Sequence, residues 1–352
     1  MNLSKHTRQI AVGDVLIGGG APISIQSMTN TKTKDAVSTI DQIHRLEDAG
    51  CDIIRVAVND LEDAEALDQI IPAISIPVIA DIQFDYRLAL YALEHGVHGL
   101  RINPGNIGEA WKVKEVADAA KARNVSIRIG VNSGSVKSAF IEKYRGVNPK
   151  SIVESALDEI ATLEKFGFDA IKVSLKSSDV CQSIESYREF SRVSDYPLHL
   201  GITEAGAGMN GIVKSAVGMG TLLEEGIGDT MRVSLTGDPV DEVHCAKAIL
   251  KSLGLRREGI DIVACPTCGR TEIDLIHLVK DAEERFKALN FEGKIAIMGC
   301  RVNGPGEARE ADYGITGGNG RGVIFKKGEV VETVDEAKLL DALIDLIERD
   351  HR

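Results

Sequence analysis

The stretch ISIQSMTNTKTKDAVSTIDQIHRLEDAGCDIIRVAV (23–58) decides the fold. It begins and ends in short β-branched runs, ISIQSMT and IIRVAV. The intervening STIDQIHRLEDAG spaces its apolar residues as an amphipathic helix does. The same unit recurs along the chain. PVIADI (77–82), GLRINPG (99–105), SIRIGVNSG (126–134), AIKVSLK (170–176), PLHLGIT (197–203) and TMRVSLTG (230–237) complete a set of eight runs. Helical patterns follow them, as YRLALYALEHG (86–96) follows the third. Strand and helix alternating eight times predicts an α/β fold, a closed (β/α)8 TIM barrel. A doubly wound open sheet is the alternative, because strand order cannot be read from the pattern. RQIAVGDVLIGGG (8–20) reads as a hairpin at the barrel floor, and DEVHCAKAILKSLGL (241–255) ends on a capping signal at Gly254.

The rhythm changes after the connector LRREGID (255–261). IDIVAC and KIAIMGC read as strands that each deliver a cysteine at the C-terminal end. TEIDLIHLVKDAEERFKAL and DEAKLLDALIDLIERD read as helices, and GVIFKKGEVVETV as a hairpin turning at Lys327-Gly328. The expected organisation is a barrel over 1–256, with its N-terminal hairpin, and a smaller α/β domain over 257–352. GGNGRG (317–322) lacks a following GK[ST] and reads as a turn.

Composition narrows the function. Of the 352 residues, 43% are hydrophobic and 27% charged, as in ordinary globular proteins. A net charge of −12 argues against nonspecific nucleic-acid binding but leaves room for a local basic pocket. Apolar runs are short and broken by proline, so no membrane span is expected. Six cysteines without a secretory signal predict free or metal-bound thiols and a cytoplasmic setting. Cys51, Cys181 and Cys245 read as core residues.

Several barrel strands carry polar residues at alternate positions, which face inward together. Such positions give Arg55 on the second strand, Arg101 and Asn103 on the fourth, Arg128 and Asn132 on the fifth. The sixth gives Lys172 and Ser174, and the eighth Arg232 and Ser234. The third gives Asp81 and Gln83, the seventh His199, Gly201 and Thr203, with Glu204 next. Five cations on five strands are costly to bury unpaired, and Asp81 with Glu204 cannot balance them. An anionic ligand at the C-terminal mouth supplies the missing charge, and several arginine forks suit a diphosphate.

ACPTCGR (264–270) and MGCRVNGPGEA (298–308) place Cys265, Cys268 and Cys300 where one metal could take all three. Zinc, a redox dithiol and an iron–sulfur cluster are the readings of a CxxC; a dithiol has no need of Cys300. The tight Asn-Gly-Pro-Gly loop returns Glu307, a labile fourth donor among thiolates. On spacing alone, Glu307 as ligand and as surface acid stand equal. Two rival functions follow: a zinc-stabilised barrel lyase or hydrolase of a phosphorylated metabolite, and a cluster-bearing sensor or electron carrier.

The motifs QSMTNT, ADIQFDYRLAL, LRINPGNIG, IRIGVNSGS, LHLGITEAG, EGIGDTMRVSL, ACPTCGR and VNGPGEA occur in order over nearly the whole chain. In them the chain resembles the bacterial 4-hydroxy-3-methylbut-2-enyl diphosphate synthases, iron–sulfur enzymes of the non-mevalonate isoprenoid pathway. The resemblance implies a 4Fe-4S cluster on Cys265, Cys268, Cys300 and Glu307. It implies reductive opening of 2-C-methyl-D-erythritol 2,4-cyclodiphosphate, with loss of a hydroxyl. Arg55, Arg101, Arg128, Lys172 and Arg232 would hold the diphosphate, and Asn132, Thr203, Ser234 and Asn303 would approach the substrate. Glu204 is the candidate proton donor or acceptor, Glu307 the exchangeable ligand, and flavodoxin or ferredoxin the implied electron donor. The chain departs from the pattern at DIQFD, where relatives often have DIHFD; Gln83 cannot move a proton as histidine can.

A barrel helix runs antiparallel to its strand, so the last one ends at the floor, opposite the cation-lined mouth. The connector reaches at most about 25 Å at about 3.5 Å per residue, roughly the height of a barrel. The cluster domain is therefore not expected to cover its own mouth. A head-to-tail homodimer solves this, and the resemblance implies that arrangement.

Overall fold

The computed structural model describes residues 7–300, 309–318 and 320–351; Asn303 and Glu307 lie outside the described residues. The chain divides into two compact units, Met1–Arg256 and Arg257–Arg352.

In the first unit, eight strands pair in parallel: β3 (Ser24–Met28), β4 (Ile53–Ala57), β5 (Val78–Asp81), β6 (Gly99–Ile102), β7 (Ser126–Asn132), β8 (Ile171–Lys176), β9 (His199–Leu200) and β10 (Thr230–Met231). Their order is β8-β7-β6-β5-β4-β3-β10-β9. A parallel bridge between Val173 and Leu198 joins the two ends, so the ring is closed and the open-sheet alternative falls. β9 and β10 are two residues each, shorter than the runs that predicted them. Backbone bonds continue beyond them, from Arg232 N–H to Leu200 O (3.0 Å) and Thr203 N–H to Ser177 O (3.3 Å).

Pleating separates two environments. Outward residues such as Ile54, Val56, Ala80, Leu100, Ile127, Ile129 and Val173 join Ile43, Leu46, Leu67, Leu93 and Val116 from the surrounding helices in one apolar cluster. Burying a side chain such as Leu46 stabilises the fold by about 2 kcal/mol. Many helices start at a side-chain cap just after a strand. Asp35 accepts from Ser38 N–H, Asp60 from Asp63 N–H, Asp179 from Gln182 N–H and Asp238 from Val240 N–H. The helix Pro239–Ser252 ends as predicted. Gly254 takes φ +67° and Leu255 N–H donates to Leu250 O at 2.9 Å.

The N-terminal hairpin, β1 (Ile10–Val12) with β2 (Val15–Ile17), turns at Asp14 and at Gly13, whose φ is +59°. Its Ile10, Val12 and Ile17 pack against the inward-facing Ile53 and Ile79, stoppering the barrel at the N-terminal ends of its strands. This is the floor expected from the sequence.

The second unit is a five-stranded sheet: β11 (Ile260–Ala264), β12 (Gly293–Met298), β13 (Tyr313–Gly318), β14 (Arg321–Lys326) and β15 (Glu329–Asp335). β11, β12 and β13 are parallel; β13, β14 and β15 are antiparallel. Helices Leu275–Arg285 and Leu339–Asp350 cover one face, where Leu275, Phe286, Leu343 and Ile347 meet Ile295, Ile297, Ile315 and Ile324. β14 turns into β15 through Lys327 (φ +50°) and Gly328 (φ +82°), the two-residue turn read from the sequence.

No described helix is long and apolar enough to cross a membrane. All six cysteines are free. Cys51 and Cys245 are buried, but Cys181 is exposed. It is the second residue of the helix Val180–Val193, in the open first turn, and is not a core residue.

Candidate active site

Register brings the predicted cations together. Asp81, Arg101, Arg128 and Lys172 stand side by side on β5, β6, β7 and β8, and residues in register share a face. Arg55 lies opposite Met28 on β3. Lys176 closes β8 in register with Asn132, the last residue of β7. Two glycines make room. A Cβ on Gly130 would lie 3.2 Å from Ser174 Oγ, and one on Gly201 would lie 2.6 Å from Lys176 Nζ and 2.9 Å from Arg232 O.

Few partners await this charge. Asp81 pairs with Arg101 at 3.2 Å and, more loosely, with Arg55 at 3.7 Å. Gln83 donates to Asp81 (2.9 Å) and accepts from Arg101 (3.0 Å), so its amide bridges the carboxylate and the guanidinium. Arg232 meets Glu242 at 3.4 Å. Arg55 otherwise rests its guanidinium on Met28 Sδ, 2.9 Å from Nη2, a weak acceptor. Arg128 Nε and Nη1, Lys172 Nζ and both ring nitrogens of His199 are buried without a hydrogen-bond partner.

Burial and the neighbouring cations push these groups toward their neutral forms. Burial lowers Arg55 to about 9, still charged at neutral pH, although Asp81 acts the other way. Burial, then the charge of Arg128, pushes Lys172 well down. The same happens to Lys176, with Arg128, Arg232, Arg55 and Arg101 all adding to it. His199 is driven well below its ordinary value by burial and then by Lys176.

The other candidates sit around this cluster. Asn103 is buried and accepts from Gly105 N–H (2.9 Å). Asn132 accepts from Ser135 Oγ through its carbonyl (3.1 Å). Thr203 and Ser234 are half-buried. Glu204 is exposed on the loop after β9 with φ +54°, a left-handed backbone that favours glycine. Such strain in a non-glycine residue is retained most often where a site needs the side chain held in place.

Two members were missed in the sequence and were legible there. Lys176 continues the alternation Lys172, Ser174, Lys176 but was passed over as the polar end of its run. Glu242 comes from the last helix and carries the inward carboxylate that Glu204 was expected to supply. It shares the buried face of Val243, Ala246 and Ile249, so helical spacing marks it.

In the second unit, Cys265 directly follows β11 and Cys300 follows β12, two parallel neighbours. Gly299 N–H donates to Cys265 Sγ at 3.2 Å. Glu272 N–H binds Gly299 O (2.9 Å), Thr271 N–H binds Cys268 O (3.0 Å), and Thr316 Oγ1 binds Cys300 O (2.9 Å). Cys300 is buried, Cys265 half-buried and Cys268 exposed. The backbone N–H of Arg270, then its side chain, lowers the Cys268 thiol pKa. The donor chemistry fits an iron–sulfur group: three thiols at one end of a parallel sheet, with an amide N–H directed at one sulfur. Among the described residues, no three His, Cys, Asp or Glu side chains are gathered closely enough to hold a metal ion.

The family model "GcpE TIM-barrel domain" matches residues 7–247, and "GcpE protein C-terminal domain" matches 261–349. The chain belongs to the GcpE family. Members similar to it include the 4-hydroxy-3-methylbut-2-en-1-yl diphosphate synthase (flavodoxin) of Clostridium perfringens, 55% identical over 98% of this chain and 99% of that one. The enzyme of the same name from Geobacter sulfurreducens is 56% identical over 99% and 98%. Among solved structures, the dihydropteroate synthase of Yersinia pestis superposes with a TM-score of 0.51 at 8% identity, over 71% of this chain and 99% of that one. That likeness concerns the barrel fold alone. A groove of about 570 Å³ between helices Gly208–Glu224 and Pro239–Ser252 is lined by Ile212, Ala216, Leu235 and Ile249, and none of the predicted cations lines it.

Proposed function

We propose that this chain opens 2-C-methyl-D-erythritol 2,4-cyclodiphosphate reductively to 4-hydroxy-3-methylbut-2-enyl diphosphate, as an iron–sulfur oxidoreductase of isoprenoid biosynthesis. The observation that carries the reading is the inward cation cluster, whose charge exceeds that of Asp81 and Glu242, in a family whose curated members bear that enzyme's name.

Arg55, Arg101, Arg128, Lys172 and Arg232, joined by Lys176, bind the diphosphate; guanidinium forks fit its oxygens and orient it. Asn132, Thr203, Ser234 and Asn303 supply hydrogen bonds to the carbon skeleton and its hydroxyls. Glu204 moves a proton at the departing hydroxyl oxygen. Cys265, Cys268 and Cys300 hold a 4Fe-4S cluster, with Glu307 as the exchangeable fourth donor. When bound, the cluster supplies the two electrons of the reduction, which flavodoxin delivers. The domain assignment follows: a substrate barrel over 1–256 and a cluster domain over 257–352.

A head-to-tail homodimer is part of the same reading. The last barrel helix returns to the floor, so the cations of one chain are served by the cluster domain of a second chain. Mixing a Cys300→Ser chain with a Glu204→Gln chain, each inactive alone, restores activity if sites are shared; no recovery removes the dimer from the reading.

The function is tested on protein purified without oxygen. About four iron and four sulfide per chain, with the linear diphosphate formed from the cyclic one and reduced flavodoxin, is the expected result. A fully loaded protein that leaves the cyclodiphosphate intact overturns the reading.

A further inference from the structure

We propose that Lys172 and Lys176 are neutral in the ligand-free barrel and take up protons from solvent as a diphosphate settles there, so that anion capture and protonation are one event. The proposal rests on the barrel being a diphosphate site and concerns what the site does before any electron arrives.

The argument starts from partners. Lys172 Nζ is fully buried and makes no hydrogen bond. Lys176 packs its Nζ into the space beside Gly201, and the charges that act on it most strongly are positive: Arg128 from β7, Arg232 beyond β10, Arg55 from β4 and Arg101 from β6. The inward carboxylates are already engaged. Asp81 on β5 faces Arg55 and Arg101. Glu242 faces Arg232 and accepts from Leu235 N–H at 2.9 Å.

An uncompensated buried cation relieves itself by losing a proton where its chemistry allows. Arginine gives up its proton last, lysine readily. The crowding therefore falls on the two lysines, and burial together with Arg128 pushes both well below the ordinary lysine value. His199 on β9, buried with neither ring nitrogen bonded, is held neutral by the same surroundings.

A diphosphate reverses the sign of the local field. An anion within hydrogen-bond reach favours the ammonium form, so at a pH between the free and bound values each lysine gains up to one proton. The proton goes onto the Nζ lone pair and comes from water. Burial, then the charge of Arg55, pushes Arg128 down as well, but a guanidinium holds its proton where an ammonium yields it, so the exchange falls to the lysines.

The test is calorimetry of the full chain, purified without oxygen and kept without reductant, titrated with the cyclodiphosphate at about pH 7.5. Each phosphorus of a cyclic diphosphate keeps one strongly acidic hydroxyl, so the ligand brings no proton of its own. Buffers of low and high ionisation heat give different apparent enthalpies, and their slope counts protons. Uptake of between about one and two protons per ligand is expected. Tight binding with no uptake overturns the inference and leaves the function standing; no binding overturns the function itself.

Lys176→Arg, which keeps its charge, and Lys176→Met, which has none, each lower the uptake by about one proton while heat of binding remains measurable. Lys172→Met does the same. Uptake unchanged in both the Lys172 and Lys176 variants belongs to His199 and overturns the assignment.

Discussion

Lys176 Nζ lies where a side chain on Gly201 would begin, 2.6 Å from the position of its Cβ. The glycine opens β9 to a lysine from β8, and the same Cβ would lie 2.9 Å from the backbone oxygen of Arg232. Flexible Nζ can retreat; the carbonyl cannot without moving the strand. Gly201→Ala is therefore expected to destabilise the fold by about 1–3 kcal/mol. It should also weaken cyclodiphosphate binding by roughly tenfold, equivalent to ~1.4 kcal/mol. Urea denaturation and calorimetry read the two effects; an alanine variant matching the parent in both removes Gly201 from the site.

Glu204 separates stability from activity. Its φ of +54° is strained for any residue with a Cβ. Glu204→Gly relieves that strain and is expected to raise stability by ~1 kcal/mol while turnover falls roughly 100-fold or more. Glu204→Gln keeps the strain and loses the same activity. Full turnover in the glutamine variant would end the proton-transfer assignment.

Glu159 gives the fold a pH dependence of its own. It is buried in the helix Pro149–Glu164 with Oε2 unbonded, and burial raises its pKa to about 7, against a smaller pull from Lys137. The folded chain thus binds the extra proton between about 4.5 and 7, so this stabilising contribution shrinks as pH rises through that window. Glu159→Gln should flatten the slope and raise stability at pH 8 by up to ~3 kcal/mol. Thermal melts across that range read it, and parallel curves for parent and variant would contradict it.

The lysines act in the opposite sense. Their pKa values are lower in the folded chain than in the unfolded one, so the unfolded chain binds more protons above the folded values and below 10.5. Stability of the ligand-free protein rises with pH across the part of that window below about 9. Above it the Cys51 thiol, raised by burial to about 12, begins to reverse the trend. Saturating cyclodiphosphate is expected to cancel the rise. A ligand-free melting temperature that falls from pH 7 to 9 counts against neutral lysines.

The thiol donors carry a spectroscopic prediction. Cys265→Ser and Cys300→Ser should lose most bound iron, whereas Glu307→Ala should retain iron with an altered paramagnetic resonance spectrum. An unchanged spectrum in Glu307→Ala removes it from the donor set.

The barrel was legible because its two periods are local: ISIQSMT and IIRVAV alternate at two, STIDQIHRLEDAG at 3.6, and neither needs a distant partner. Ring closure was legible only through the count of eight units, since the contact that makes it, Val173 with Leu198, joins strands whose pairing no local pattern specifies. The cations were found because arginine is conspicuous in an apolar run. Their restraint was not, because no local pattern marks the Met28 sulfur as the group on which Arg55 rests. Glu242 escaped for a related reason: a carboxylate in a first helical turn usually answers the helix dipole, and only packing turns this one inward.

Val12 and Ile17, packed on Ile53 and Ile79, make the barrel a blind well. A ligand that comes in at the rim must go out at the rim, and product and substrate contend for a single passage. Each arrival expels whatever water the polar walls had held. Discrimination among ligands is thereby concentrated at one opening, leaving the stoppered end free to vary in anything but bulk and greasiness.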